Sequence, residues 1–345
     1  SLVVFNGTVT ATGGANGAGI GGGKKDDKNV KGPSSGIAVV VSNGTVTATG
    51  GANGAGIGGS GNRGAGGTLT VYDGTVKANG GENAAGIGGG AGGAGGRVTI
   101  NGGSVIASSI QNPPKGSNRG TDVHRVTLEV GDSKPEITAL KGSNSDYIWE
   151  YGTRDVEPID GKFYFYLPIE NYTYTLTVGG VTCCSLIVDA ADMTFVRSAV
   201  SLDGLPPNAT LEVSGLGYDT TLTTDGDGRA PTFLVKDGEC RLDVEGWRFN
   251  FSVNGAPVSA TAYGETTFEI GNLAGVSYTT APSGKSGQAT SSFSLRLPWN
   301  EKVTFFDFRA KEGSVYLGPA SVTYTNDVPG RTYTLPEATP LRTAA

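Results

Sequence analysis

The residues of this chain that could do chemistry are few and scattered. Between residues 1 and 110 the charged side chains are Lys24, Lys25, Asp26, Asp27, Lys28, Lys31, Arg63, Asp73, Lys77, Glu82 and Arg97. A polysaccharide-cleaving site needs two carboxylates, or a basic residue in their place, held together on one face. Here the first six charges share one polar stretch, and Asp73, Lys77 and Glu82 have no counterpart in the next repeat. The lone histidine, His124, reads as a surface or structural residue. Cys183, Cys184 and Cys240 lack the spacing of a zinc site. They read as small buried side chains, with a bond from Cys240 to one of the adjacent pair as the oxidised alternative. Function has to be argued from a site, and no catalytic set emerges, so a non-enzymatic protein is expected.

Two sets of residues remain as binding candidates. Asp225-Gly226-Asp227-Gly228 begins like a calcium loop but has no closing glutamate. Asp225 and Asp227 are therefore a calcium candidate, with a plain hairpin turn as the alternative. Tyr147, Trp149 and Tyr151, together with Tyr164 and Tyr166, could stack on sugar rings, although aromatics alternating along a strand also describe a core. No other cofactor is implied. The text Gly-Ala-Gly-Ile-Gly-Gly-Gly lacks the helix, the lysine and the distal acid of a nucleotide loop. With 26 basic against 32 acidic residues the net charge is -6, and no basic stripe calls for a nucleic acid. No apolar run reaches the ~18 residues of a membrane span.

The elements that must carry these residues are read from a repeat. Glycine fills 58 positions, most of them before residue 105, while aromatics become frequent only after Tyr147. Gly7-Thr-Val-Thr-Ala-Thr-Gly-Gly-Ala-Asn-Gly-Ala-Gly-Ile-Gly-Gly-Gly23 returns from Gly44, from Gly74 and, broken off, from Gly103. An apolar strand precedes each copy: Val3-Val4-Phe5, Val39-Val40-Val41, Leu69-Thr70-Val71 and Val98-Thr99-Ile100. One unit therefore reads as strand, Asn-Gly or Asp-Gly turn, strand, glycine corner and short Ala-Gly-Ile strand. That is the plan of a three-sided coil.

Stacking the copies aligns Val9, Val46, Val76 and Val105, then Ala11, Ala48, Ala78 and Ala107, as inward ladders. Ile20, Ile57 and Ile87 form a third ladder, and Asn16, Asn53 and Asn83 are expected as a buried amide ladder at a corner. The columns Thr8/Thr45/Thr75/Ser104 and Thr10/Thr47/Lys77/Ile106 are expected to face outward. Their threonine rows are too interrupted to bind ice.

After residue 110 a polar Pro/Gly text reads as a linker over 111–120. Strand-like runs separated by turn residues then resume, with no helical period. They predict a small β-sandwich module over 121–190 and one or two more over 191–345. The fold class expected is all-β: a short right-handed parallel β-helix of three to four coils over 1–110, then two or three antiparallel, immunoglobulin-like sandwich modules. The chain opens strand-like at Ser1-Leu2-Val3-Val4-Phe5, as in a mature or excised piece whose targeting segments lie outside it.

The Gly-Thr-Val-Thr-Ala-Thr-Gly-Gly and Ala-Gly-Ile-Gly-Gly-Gly units, passing into Val126-Thr-Leu-Glu-Val130 and Asp160-Gly-Lys-Phe-Tyr-Phe-Tyr-Leu-Pro168, resemble the glycine-rich repeat surface proteins of gut-type Gram-positive bacteria. The resemblance covers residues 1 to about 180. It implies a secreted or wall-attached β-helix protein at the cell surface, with adhesive or carbohydrate-binding roles. Two functions are expected on this basis. One is a scaffold that self-associates, or meets other surface proteins, into a filament or surface layer, through strand edges that invite pairing. The other is a carbohydrate-binding adhesin with glycan partners.

Overall fold

The computed structural model describes residues 1–23, 34–116, 120–143, 148–154, 156–169, 172–214, 219–254, 260–270, 276–281, 283–309, 315–335 and 338–340. The loop charges from Lys24 to Lys31, and Tyr147, lie outside them. All regular elements among the described residues are strands. The chain divides into two compact units: Ser1–Ser201 with Pro231–Asp237 and Asn254–Ala256, and Leu202–Ala230 with Gly238–Val253 and Pro257–Ala345.

The first unit begins with the coils. Their strands are β1 (Leu2–Val4), β2 (Thr8–Thr12), β3 (Ile20–Gly21), β4 (Ala38–Val41), β5 (Thr45–Thr49), β6 (Ile57–Gly58), β7 (Thr68–Val71), β8 (Thr75–Asn79), β9 (Ile87–Gly88), β10 (Arg97–Ile100) and β11 (Ser104–Ala107). They form three parallel sheets, ordered β1-β4-β7-β10, β2-β5-β8-β11 and β3-β6-β9. The three-sided parallel β-helix is thus present, and its register is the one the repeat predicts. Val9, Val46, Val76 and Val105 are successive partners, as are Ala11, Ala48, Ala78 and Ala107, and Ile20, Ile57 and Ile87. Inside the stack Val41, Val46, Val71, Val76, Ile100 and Val105 have no exposed surface. Each such side chain contributes roughly 1.5–3 kcal/mol of burial that a single coil could not supply alone.

Glycine is required where backbones cross. A Cβ on Gly54 would sit 1.9 Å from the Gly17 carbonyl oxygen, and one on Gly51 would sit 1.8 Å from that of Gly14. At the Asn-Gly turn, Gly7, Gly44, Gly74 and Gly103 all hold φ between +81° and +87°, where other residues are strained.

Two parts of the expected pattern differ. Thr75 and Ser104, read as outward, are 4 % and 0 % exposed, while Thr8 of the same column is exposed. Residues 111–116, within the stretch read as a linker, contribute backbone to the stack. Ile110 bridges Ile87 in parallel, and Lys115 bridges Thr99 with bonds to Val98 and Ile100 (3.0 and 2.9 Å). The first difference arises from the module packed on the last coil.

This module is a pair of packed sheets built from β12 (His124–Glu129), β13 (Ile137–Ser143), β14 (Ile148–Tyr151), β15 (Lys162–Leu167), β16 (Tyr172–Val178), β17 (Val181–Val188) and β18 (Met193–Val196). One sheet runs β15-β12-β18 and the other β14-β13-β16-β17. Pairing within them is antiparallel except β12 with β18. Their shared core holds Val126, Leu128, Phe163, Phe165, Leu140, Tyr174 and Leu176, all but fully buried. β15 lies against β11, and its Tyr164 N–H donates to Ser104 Oγ at 3.1 Å. This is what covers the Thr75/Ser104 column.

A two-stranded sheet of β19 (Ser198–Val200) with residues Phe233–Val235 completes the unit. In the second unit a sheet of Thr220–Thr223, Thr210–Ser214, Gly238–Val244, Trp247–Val253, Thr261–Glu269 and Ser292–Pro298 pairs antiparallel, and Thr332–Thr334 joins it parallel to Thr261–Glu269. A further antiparallel sheet includes Val276–Ala281, Glu301–Arg309 and Val315–Asn326. Phe268 and Phe305 meet edge to face (4.8 Å between centroids) in a core with Leu297, Val303 and Leu335. Asn326 is 1 % exposed. Its amide donates to the Leu297 and Pro298 carbonyls (3.0 and 2.9 Å), and its oxygen accepts from Thr266 (2.5 Å).

Three substitutions test this account. Gly54→Ala is expected to cost about 3 kcal/mol or more in chemical denaturation, because the backbone must part. Gly14→Ala, where an added Cβ meets nothing within 4 Å, is expected to change stability by less than about 1 kcal/mol. The buried Thr75 hydroxyl has no hydrogen-bond partner among the described residues. Thr75→Val keeps the shape and removes that group, so a gain of about 1 kcal/mol is expected.

Candidate functional site

The residues singled out for binding are placed in three ways. Tyr147 lies outside the described residues, as does the side chain of Trp149. Tyr151 is 4 % exposed and cannot stack on a ligand. Its hydroxyl donates to the Gly103 carbonyl (2.9 Å) and accepts from the Tyr166 N–H (3.0 Å), while its ring meets Phe165 edge-on (5.6 Å). Tyr166 is buried as well. The sugar-stacking expectation for Tyr151 and Tyr166 is therefore corrected: both belong to the core, because the end of the coil stack sits over them.

Tyr151 is the central side chain of that junction. Next to it, Gly152 takes the place of a further coil. Its N–H donates to the Asn101 carbonyl (3.0 Å), and its carbonyl accepts from Gly103 (2.8 Å). Burial pushes the Tyr151 phenol far above its ordinary value of 10.0 and pushes Tyr166 up to about 12. For Tyr151 the bond from the Tyr166 N–H works in the opposite direction without offsetting burial.

At the second candidate, Asp225 Oδ1 accepts from the backbone N–H groups of Asp227 (3.0 Å) and Arg229 (2.8 Å). Asp227 Oδ2 accepts from the Arg229 guanidinium at 3.0 Å. The structure thus places an Asx-type turn here, with an arginine as the cation on Asp227. No group of three or more His, Cys, Asp or Glu side chains suited to a metal converges among the described residues. Cys240 is a free thiol, buried and raised above its usual pKa by that burial. The side chains of Cys183 and Cys184 are outside the described set.

The aligned asparagines do form a ladder. Asn53 Nδ2 donates to Asn16 Oδ1 (2.9 Å), and Asn83 Nδ2 donates to Asn53 Oδ1 (3.3 Å). The corner is half-buried rather than closed, with Asn83 exposed. A second amide column sits at the turn before each coil's second strand. Asn43 Nδ2 donates to Asn6 Oδ1 (2.9 Å), and its own Oδ1 accepts the Gly44 N–H (2.8 Å). Asp73 makes the same contact to Gly74 (2.9 Å). These side chains hold the coils in register and leave little polar chemistry at the turns.

Two grooves in the first unit could take a ligand. One, about 610 Å³, lies where Asp73 faces Lys134, Glu136, Arg154 and Glu157, mixed in charge. The other, about 920 Å³, runs over the stacked segments 36–38, 66–68 and 95–97 toward Asn112, Lys115 and Asp122. Sequence reading missed the second because it belongs to no single repeat. Its signal was the column Ala38, Thr68 and Arg97 at the start of successive strands.

The sequence profile for the Beta helix repeat matches residues 4–24, 39–61, 69–91 and 98–117. No curated protein matches the chain. Among solved structures the chain has a likeness to the TIE protein of Bacillus anthracis, at 16 % identity and a TM-score of 0.21, over 64 % of this chain and 51 % of that one. The chain thus spans about half the length of that protein. A second likeness, to BcpA, the major pilin subunit of Bacillus cereus, has 10 % identity and a TM-score of 0.16, over 62 % of this chain and all of the other.

The junction gives a pH-dependent expectation. Tyrosines whose folded pKa is raised contribute stability that is complete below the unfolded value near 10 and lost as pH climbs through the folded one. Thermal unfolding followed from pH 9 to 12 should therefore show a falling melting temperature. Tyr151→Phe should flatten that fall while costing about 1–3 kcal/mol at pH 7, since Gly103 and Tyr166 lose their partner.

Proposed function

We propose that the chain is a rigid, non-enzymatic structural component of a bacterial cell surface, able to associate with copies of itself. The supporting observation is the unbroken hydrogen-bonded path from the coils into the adjoining sheets, through Gly103, Tyr151 and Gly152. Such a joint supports reading repeat and module as one rigid body.

The polar side chains point the same way. Asn43, Asn53, Ser104 and Tyr151 are each committed to a structural bond that a working site would have to break. A scaffold invests its polar groups so, since buried polar atoms are costly when unpaired. Membership among the glycine-rich repeat surface proteins of Gram-positive bacteria, and location at the cell surface, are part of the same proposal and rest on the repeat text.

Pulling the full chain from its ends in a force experiment should extend residues 1–201 in one cooperative event, with Tyr151→Ala splitting it into two. Separate events in the unaltered protein would refute the rigid scaffold. Sedimentation velocity at rising concentration reads the other half of the proposal. Species larger than monomer are expected, and a monomer at every concentration removes self-association.

A further inference from the structure

Among the large apolar side chains left exposed, Val3 (63 %), Phe5 (71 %) and Tyr72 (50 %) share the outer face of the sheet β1-β4-β7-β10 and its continuation into the turn. Alternation puts them there: Val4, Val41, Val71 and Ile100 are buried inside the coils, so the residues before and after them point out. The face carries two columns. Val3, Val40, Thr70 and Thr99 are register partners and form an even ridge of β-branched side chains. Phe5, Ser42, Tyr72 and Asn101 follow in step. The N–H groups of Ser42, Tyr72 and Asn101 donate to the carbonyls of Val4, Val41 and Val71 in the preceding coil (2.9, 2.8 and 2.8 Å).

The second column alternates in size. Phe5 and Tyr72 stand two coils apart, about 9.6 Å at the spacing of parallel strands, and Ser42 between them leaves a slot one side chain wide. A second copy turned about a two-fold axis parallel to the stack keeps each coil at its height and reverses its strands. The ridge of each copy then falls on the second column of the other. Val40 enters the slot at Ser42 of the second copy, Phe5 covers Val3, and Tyr72 covers Thr70. The face is thus complementary to itself. Neither column carries a charge, so two copies meet without burying one. Arg97 stands at the margin of the face, and the two-fold sends its mate to the opposite margin. The columns span about 19 Å along the stack and about 17 Å along the strands. That is smaller than the ~1,600 Å² of a standard interface, so the pairing is weak and reversible.

We propose that this face is a self-association surface, on which a second copy of the chain packs sheet to sheet at about 10 Å, with Val40 seated against Ser42. The inference rests on the self-association reading and names the surface it uses. The pairing is isologous and closes at a dimer, because both copies use the same face.

Sedimentation velocity of the full chain at rising concentration tests it, on variants whose melting temperatures match that of the unaltered protein. A monomer–dimer equilibrium is expected. Phe5→Glu, at an exposed position, sets a carboxylate against the second copy and should raise the dissociation constant about ten-fold or more. Ser42→Phe separates this packing from general stickiness: it adds apolar surface yet fills the slot, so it should weaken the dimer as much. If that variant does not fold, Val40→Ala empties the slot without adding charge and should weaken the dimer too. Thr10→Glu, exposed on the outer face of β2, should leave the equilibrium as it was. Association unchanged by Phe5→Glu, strengthened by Ser42→Phe or weakened equally by Thr10→Glu overturns this surface and leaves self-association standing. A monomer at every concentration removes both.

Discussion

The distance between hydrogen-bonded strands governs the coil half of this protein. Parallel neighbours lie about 4.8 Å apart, so every residue in a coil sits directly over its counterpart in the next. Side chains that stack well on themselves, such as valine, isoleucine and alanine, can fill the inside, and amides can bond to amides down a corner. At places where the chain turns and two backbones nearly touch, only glycine fits, as at Gly51 and Gly54, where a Cβ would fall within 2 Å of a carbonyl oxygen. The glycine content of the repeat is thus a consequence of coil spacing.

A stack built this way has to end, and its last coil presents unpaired backbone groups. Here residues 110–116 and the adjoining module supply the missing layer in pieces. Ile110 and Lys115 continue two sides, Gly152 continues the turn, and β15 covers the face of β11. Tyr151 joins these pieces because its hydroxyl serves the last coil and β15 at once. An edge that could pair with another chain is thereby closed by the same polypeptide. That closure also removes Thr75 and Ser104 from solvent, although the coil text there is the same as where it faces water.

This contrast explains what could be read from the sequence. The ladders, the three-sided plan and the register of Val9 with Val46, Val76 and Val105 are local properties, written again at each repeat. The Asp225 turn is also local, but the strands on either side of it, Thr220–Thr223 and Phe233–Val235, pair in different sheets, so it is a tight turn and not a hairpin. Burial of Tyr151, Thr75 and Ser104 depends on residues about 48 to 60 positions away in the bonds that link β11 to its cover. No periodicity announces such contacts. Tyr151 carries an aromatic face that would serve a sugar or a core equally well, and only its neighbours decide. The stretch 111–120 met the same limit: its Pro/Gly-rich text reads as a linker, while residues 111–116 lie on the coil end.

The inward and outward columns of a coil are subject to different constraints, which bears on where a binding function can arise. An inward valine cannot change without disturbing the coils on both sides of it. An outward residue touches its column neighbours only at the margin, so one coil can carry alanine, the next threonine and the next arginine, as at Ala38, Thr68 and Arg97. The backbone beneath them is already straight, rigid and evenly spaced, so a single substitution places a charge at a fixed height along a trough. Binding chemistry on such a fold needs no convergence of distant loops, only a column whose members differ.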